Sequence, residues 1–182
     1  MNYCHALATG NWGEKLTALR EAAVGYSVAR TLPSNLDRPA RYERLLDIID
    51  PLEQTQFQND PPGEIRRIER KISRNYGGRN VLSATTKFLW IKIKRPILIF
   101  DSQARNALGI RNNNGLEDFY VKWRAGFEDN KTAIVNACLK LPDMNKYALQ
   151  QMTKASIREI SNQPWFHERV FDTYLWHKGT NA

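Results

Sequence analysis

Residues 84–102 read Ala84-Thr85-Thr86-Lys87-Phe88-Leu89-Trp90-Ile91-Lys92-Ile93-Lys94-Arg95-Pro96-Ile97-Leu98-Ile99-Phe100-Asp101-Ser102. An element from Val81 to about Lys94 carries Phe88, Leu89, Trp90, Ile91 and Ile93 and is apolar nearly all round. That pattern describes a buried helix, and the β-branched content leaves a strand open at its end. Pro96 breaks the element, Ile97 to Phe100 forms a short extended apolar run, and Asp101 with Ser102 supplies a cap for a short helix ending at Gly109. A helix from Lys87 to Lys94 advances about 10 Å, and four extended residues after a turn at Pro96 return the chain by about 13 Å. The arithmetic allows Lys87 and Asp101 to face one another.

On the N-terminal side, Trp12 to Leu32 spaces Leu16, Leu19, Ala23 and Tyr26 as an amphipathic helix that stops at Pro33. A second helix begins near Pro39, runs through Tyr42, Leu45, Leu46 and Ile49, and ends at Pro51. Glu53 to Gly63, rich in Gln, Asn, Asp and Pro, reads as a loop. The third helix, Glu64 to about Tyr76, places Ile65, Ile68, Ile72 and Tyr76 on one stripe and Arg66, Arg70 and Arg74 on another. Gly77 and Gly78 terminate it, because glycine accepts left-handed geometry without steric cost. Beyond the loop Arg111 to Gly115, a long helix spans about Leu116 to Leu141 and is closed by Pro142. Two further segments follow, Met144 to Ser161 and Pro164 to His177. The fold class is all-α with at most one short extended segment, a single domain over 1–182 with room for two helical lobes around a cleft.

The chain has 182 residues, 27 Lys+Arg against 19 Asp+Glu, for a formal net charge of +8. Seven Phe, seven Tyr and five Trp furnish a core, which disfavours a disordered chain. No apolar run approaches the roughly 20 residues of a bilayer span, and no basic stretch followed by an apolar block marks a signal peptide. Cys4 and Cys138 give no disulfide framework and suit a reducing cytoplasm. His5, His167 and His177 lack metal-ligand spacing, so neither a metal nor a cofactor is expected.

The charge is concentrated. Between residues 66 and 95 stand ten bases (Arg66, Arg67, Arg70, Lys71, Arg74, Arg79, Lys87, Lys92, Lys94 and Arg95) and one acid, Glu69. That window is +9 and the remainder −1. One-sided charge attracts a polyanion, which makes nucleic acid the leading partner and the window its docking surface. The alternative is a solvated basic helix face without a partner.

A lysine and a carboxylate in apolar surroundings have a specific chemical use. An amine whose charged form is disfavoured by desolvation and by neighbouring bases becomes a nucleophile able to form a Schiff base. A carboxylate stabilises positive charge that grows on a sugar carbon as a base departs. The sequence Thr86-Lys87, an apolar helix, Pro96, an apolar run and then Asp101-Ser102 resembles the catalytic segment of the helix-hairpin-helix DNA glycosylases, particularly the bacterial 8-oxoguanine glycosylase-like proteins. The resemblance covers about 30 of the 182 residues. It implies an all-α, two-lobed, monomeric, metal-free enzyme that flips a modified base from DNA into a cleft. Lys87 would attack the sugar C1′ and Asp101 would be the second catalytic group. The family's Gly-apolar-Gly turn before the lysine is replaced here by Leu82-Ser83-Ala84-Thr85-Thr86, which leaves the phosphate grip without its usual residues.

Each of these residues also has a structural role open to it. Lys87 suits a solvated surface, Asp101 is a helix cap, and Phe88, Trp90 and Phe100 suit the core. A non-catalytic nucleic-acid-binding protein on the same scaffold is therefore the alternative function. In the C-terminal helix Arg169 and Asp172 are spaced to pair on the surface, while Tyr174 or Trp176 could line a cleft.

Overall fold

The computed structural model describes residues 3–29, 38–110, 115–148 and 152–180, in which every regular element is helical and none is a strand. The chain divides into two compact units, Met1–Phe100 and Asp101–Ala182.

The first unit contains α1 (Tyr3–Thr9), α2 (Trp12–Gly25), α3 (Arg38–Ile49), α4 (Pro61–Asn75) and α5 (Leu82–Ile93). The seven-residue α1 has no counterpart in the sequence reading, because it is too short for helical periodicity to show. Asn11 starts α2 with a reciprocal cap: its side chain accepts from the amide of Glu14, whose carboxylate accepts from the amide of Asn11. The helix ends at Gly25 rather than Leu32; the expected stop at Pro33 lies outside the described residues. The expected loop before Gly63 is shorter than its composition suggests. Gln54–Phe57 forms a 3₁₀ turn that buries Phe57. Helix α4 then starts at Pro61, because Pro61 and Pro62 lack amide donors that a first turn leaves unpaired anyway. The carboxylate of Asp60 caps it by accepting from the amide of Gly63 at 3.0 Å.

Helix α4 packs on α3 and α5, while α1 packs on α2 and α5. Leu7, Leu19, Leu45, Leu46, Ile49, Phe57, Ile65 and Leu89 are fully enclosed. Helix α5 is buried from Leu82 to Ile91 apart from Ser83 and Lys87, matching its apolar surround, and remains helical to Ile93. Lys94 closes it with a φ of +63°, and Pro96 follows through a cis peptide bond. The chain then doubles back: Ile97 to Phe100 are buried, and the amide of Phe100 donates to Thr86 Oγ1 at 3.1 Å. The same hydroxyl donates to Ser83 O at 3.0 Å, so both its hydrogen-bonding functions are used. A turn near Pro96 was the expectation, and Thr86 is the residue that fastens it.

The second unit contains α6 (Ser102–Ala107), α7 (Leu116–Cys138), α8 (Lys154–Ser161) and α9 (Pro164–Thr180). Asp101 caps α6, its Oδ1 accepting from the amide of Gln103 at 2.9 Å. Gly109, with a φ of +62°, ends the turn after α6; of the loop expected next, residues 111–114 lie outside the described residues. Helix α7 ends at Cys138 and not Leu141, because Pro142 sits in the first turn of a separate 3₁₀ segment, Leu141–Tyr147. The helix expected from Met144 begins only at Lys154, where the hydroxyl of Thr153 caps the amide of Ser156; residues 149–151 of that stretch lie outside the described residues.

Helix α9 is the hub on which α6, α7 and α8 pack. Gly179 lets α6 approach, since a Cβ there would stand 1.9 Å from the carbonyl oxygen of Gln103. Trp123 and Phe127 of α7 stack at 5.3 Å and meet Phe171 of α9 edge-on at 5.1 and 5.8 Å. Offset-stacked and edge-to-face contacts are the arrangements the ring quadrupoles favour. Of the aromatic C-terminal stretch, Phe171 and Leu175 are buried while Tyr174 and Trp176 are exposed. Asp172 departs from expectation: its pair with Arg169 is not on the surface, and its carboxylate is enclosed.

Candidate nucleic-acid interface

The sidedness of α4 is the starting point. Ile65, Ile68, Ile72 and Tyr76 are all buried, as their spacing requires. On the other side Arg67, Arg70, Lys71 and Arg74 are exposed and Arg66 is half-exposed. Arg66, Arg70 and Arg74 follow one another at about 6 Å along the helix axis. Two acids lie in this helix beyond the cap, and both are engaged. Glu64 Oε2 accepts from Arg67 Nε at 2.8 Å. Glu69 points to the amide of Val81, 3.5 Å away. Among the described residues, no carboxylate is paired with Arg66, Arg70, Lys71, Arg74 or Arg79. Their charges therefore add to a field that counter-ions or a polyanion must neutralise.

The turn beyond α4 is well defined. Gly77 and Gly78 have φ values of +76° and +74°, and the amide of Gly78 donates to Ser73 O at 2.9 Å. The hydroxyl of Ser73 donates to the carbonyl of Arg79 at 2.7 Å, which fixes the backbone that carries exposed Arg79. Outside the charge window of the sequence, helix α3 carries Arg41 and Arg44 near Tyr76. Exposed Arg44 lies close enough to Tyr76 for its charge to act on the phenol. The Tyr76 hydroxyl donates to Arg41 O. Burial pushes the Tyr76 hydroxyl up to about 12, with Arg44 and Arg41 opposing. No local pattern marks Arg44, since only the packing of α3 on α4 places it there.

The remaining sequence candidates divide. Lys92 is turned inward: its Nζ donates to Leu7 O at 3.2 Å and to Asp50 Oδ1 at 3.3 Å, beside Lys15 Nζ at 2.7 Å from the same oxygen. With 14% of its side chain exposed, Lys92 serves the junction of α1, α5 and the end of α3. It leaves the interface set. The hydrogen bond from Lys15, reinforced by Lys92, holds the Asp50 carboxyl below the usual carboxylate range. Lys94 is half-exposed at the end of α5, and Arg95 is exposed in the turn at Pro96. Lys87 is half-exposed on α5, directly after Thr86. Asp101 is half-exposed at the head of α6. Lys87 belongs to the first unit and Asp101 to the second. Asp101 does fill the capping role open to it, while Phe88, Trp90 and Phe100 are core.

Among the described residues no three His, Cys, Asp or Glu side chains cluster as metal ligands, and no helix is long and apolar enough to cross a membrane. No protein-family model matches the chain, and no curated protein or solved structure is significantly similar to it.

Proposed function

We propose that the protein binds nucleic acid, with DNA the expected form, through the outer face of α4 and the turn after it. One observation carries this reading: Arg66, Arg70, Lys71, Arg74 and Arg79 project from one helix and its adjoining turn with no carboxylate partner among the described residues, while the opposite side of α4 is sealed in the core. Arginine suits phosphate because its planar guanidinium presents a fork of donors to two oxygens. A row along a helix tracks a backbone, so the contact is expected to be largely independent of base sequence.

Salt tests it. If all five side chains contact phosphate, the logarithm of the affinity for duplex DNA falls against log salt with a slope of about −4.5, roughly a 500-fold loss between 50 and 200 mM. Fluorescence anisotropy with a labelled duplex measures the slope. Binding that ignores salt, or no binding at low salt, removes the interface.

A catalytic reading is favoured by the Thr86–Phe100 hydrogen bond, which holds the doubled-back segment on which the glycosylase resemblance rests. In this reading the protein flips a modified base, and the amine of Lys87 bonds to C1′ as the bond from C1′ to the base breaks. Loss of an amine proton and opening of the C1′–O4′ bond then leave an imine. Asp101 stabilises the positive charge that develops on the sugar. The resulting imine is reducible. Borohydride is expected to leave a covalent protein–DNA adduct on a lesion-bearing duplex, lost completely in Lys87→Ala. No adduct on any lesion, or an adduct that survives Lys87→Ala, leaves DNA binding as the function.

A further inference from the structure

The second unit encloses two carboxylates on one side of α9. Glu168 and Asp172 stand one helical turn apart, each with 6% of its side chain exposed. They are neutralised unequally. Glu168 Oε1 accepts from Arg124 of α7 at 2.9 Å, a charge-assisted hydrogen bond. Asp172 Oδ1 accepts instead from an uncharged donor, the indole Nε1–H of Trp123, at 2.8 Å. Its own cation, Arg169, stands 3.8 Å away, beyond a good hydrogen bond.

The surrounding charges reinforce the difference. Glu168 on α9 and Asp101 at the head of α6 both disfavour a negative Asp172, and Arg169 favours it. Helix α6 also carries Arg105, half-buried, and α7 carries Arg124, committed to Glu168. Where α9 meets α8, His167 Nε2 meets Ser161 O at 2.7 Å, and the charged side chains of α8, Lys154, Arg158 and Glu159, are exposed. Burial, the largest cause, pushes the Asp172 carboxyl up to about 7, with Trp123 and Arg169 opposing.

We propose that Asp172 is a proton-dependent clamp that seats α9 on α7, so that the packing of the second unit depends on whether this enclosed carboxyl carries a proton. With the proton on, a neutral carboxyl accepts the indole N–H in an apolar setting at little cost. With the proton lost, a buried anion faces Glu168 and Asp101 with one distant arginine, and α9 is loosened.

The sign follows from linkage. An unfolded aspartate titrates near 3.9, so between about pH 4 and 7 the folded chain holds one proton more than the unfolded chain. The stabilisation is complete below that window, falls by up to about tenfold in the unfolding constant per pH unit, and is gone above about 7.

Two measurements on the full chain test the clamp. The ¹⁵N-attached indole proton of Trp123 is expected to shift with a midpoint near pH 7 and to lose that titration in Asp172→Asn. Between pH 5 and 8 the unfolding constant from urea titrations is expected to rise about a hundredfold more in the wild type than in Asp172→Asn. An indole resonance flat from pH 5 to 9, or equal pH dependence in both proteins, overturns the proposal. Should Asp172→Asn not fold, the wild-type carboxyl ¹³C resonance decides, a midpoint in the ordinary aspartate range being the overturning result.

Discussion

Reversing Arg66, Arg70 and Arg74 together to glutamate is expected to weaken DNA binding by on the order of a thousandfold at moderate salt. Placing like charge against phosphate costs several kcal/mol, and 1.4 kcal/mol is a factor of ten. The three residues form the outer row of α4, away from Ile65, Ile68 and Ile72, so the helix keeps its packing surface. The triple glutamine variant, which removes charge without reversing it, is expected to lose less affinity and to flatten the salt slope by about 2.7. Anisotropy titrations at two salt concentrations separate these outcomes, with circular dichroism reporting helix content. Reversal of Arg67 alone is expected to have a smaller effect, because Glu64 already engages its guanidinium. Undiminished binding by the triple glutamate variant would show that the contact lies elsewhere.

Trp123→Ala is expected to destabilise the second unit by roughly 3–5 kcal/mol, the range for emptying a large aromatic site in a packed core. Trp123 is fully enclosed and touches both Phe127 and Phe171, so its removal takes away the centre of an aromatic cluster. It also removes the donor to Asp172, and leaving a buried acceptor unpaired costs about 1–3 kcal/mol. Trp123→Phe separates the two effects. It restores most of the ring volume but not the N–H, so the smaller loss it causes measures the hydrogen bond. Urea unfolding followed by circular dichroism gives both values. A loss below about 1 kcal/mol for Trp123→Ala would be incompatible with an enclosed indole.

Local features of the chain were legible where one turn of helix contains the whole cause. The apolar stripe of α4, the nearly all-round burial of α5, the stop at Gly77–Gly78, the reversal at Pro96 and the cap at Asp101 all follow from periodicity or from backbone restrictions of single residues. Where the structure departs from local pattern, the cause is a competing use of the same residue. Pro61 and Pro62 signal a loop by composition and open a helix in fact, because a first turn has amides to spare. The candidate interface was partly legible: the row of arginines is visible in the sequence, while the removal of Lys92 is not.

By itself, then, the sequence determined the helical class, the two-sided character of α4 and the concentration of positive charge, since these need only neighbours within about four residues. Tertiary structure alone decided which charges remain unneutralised. Lys92 is consumed by Asp50 and Leu7, 42 and 85 positions away, and Trp123 finds Asp172 across 49 positions. Whether an ionisable side chain faces water or an acid in the core depends on every element packed around it, because desolvation and pairing act through space and not along the chain.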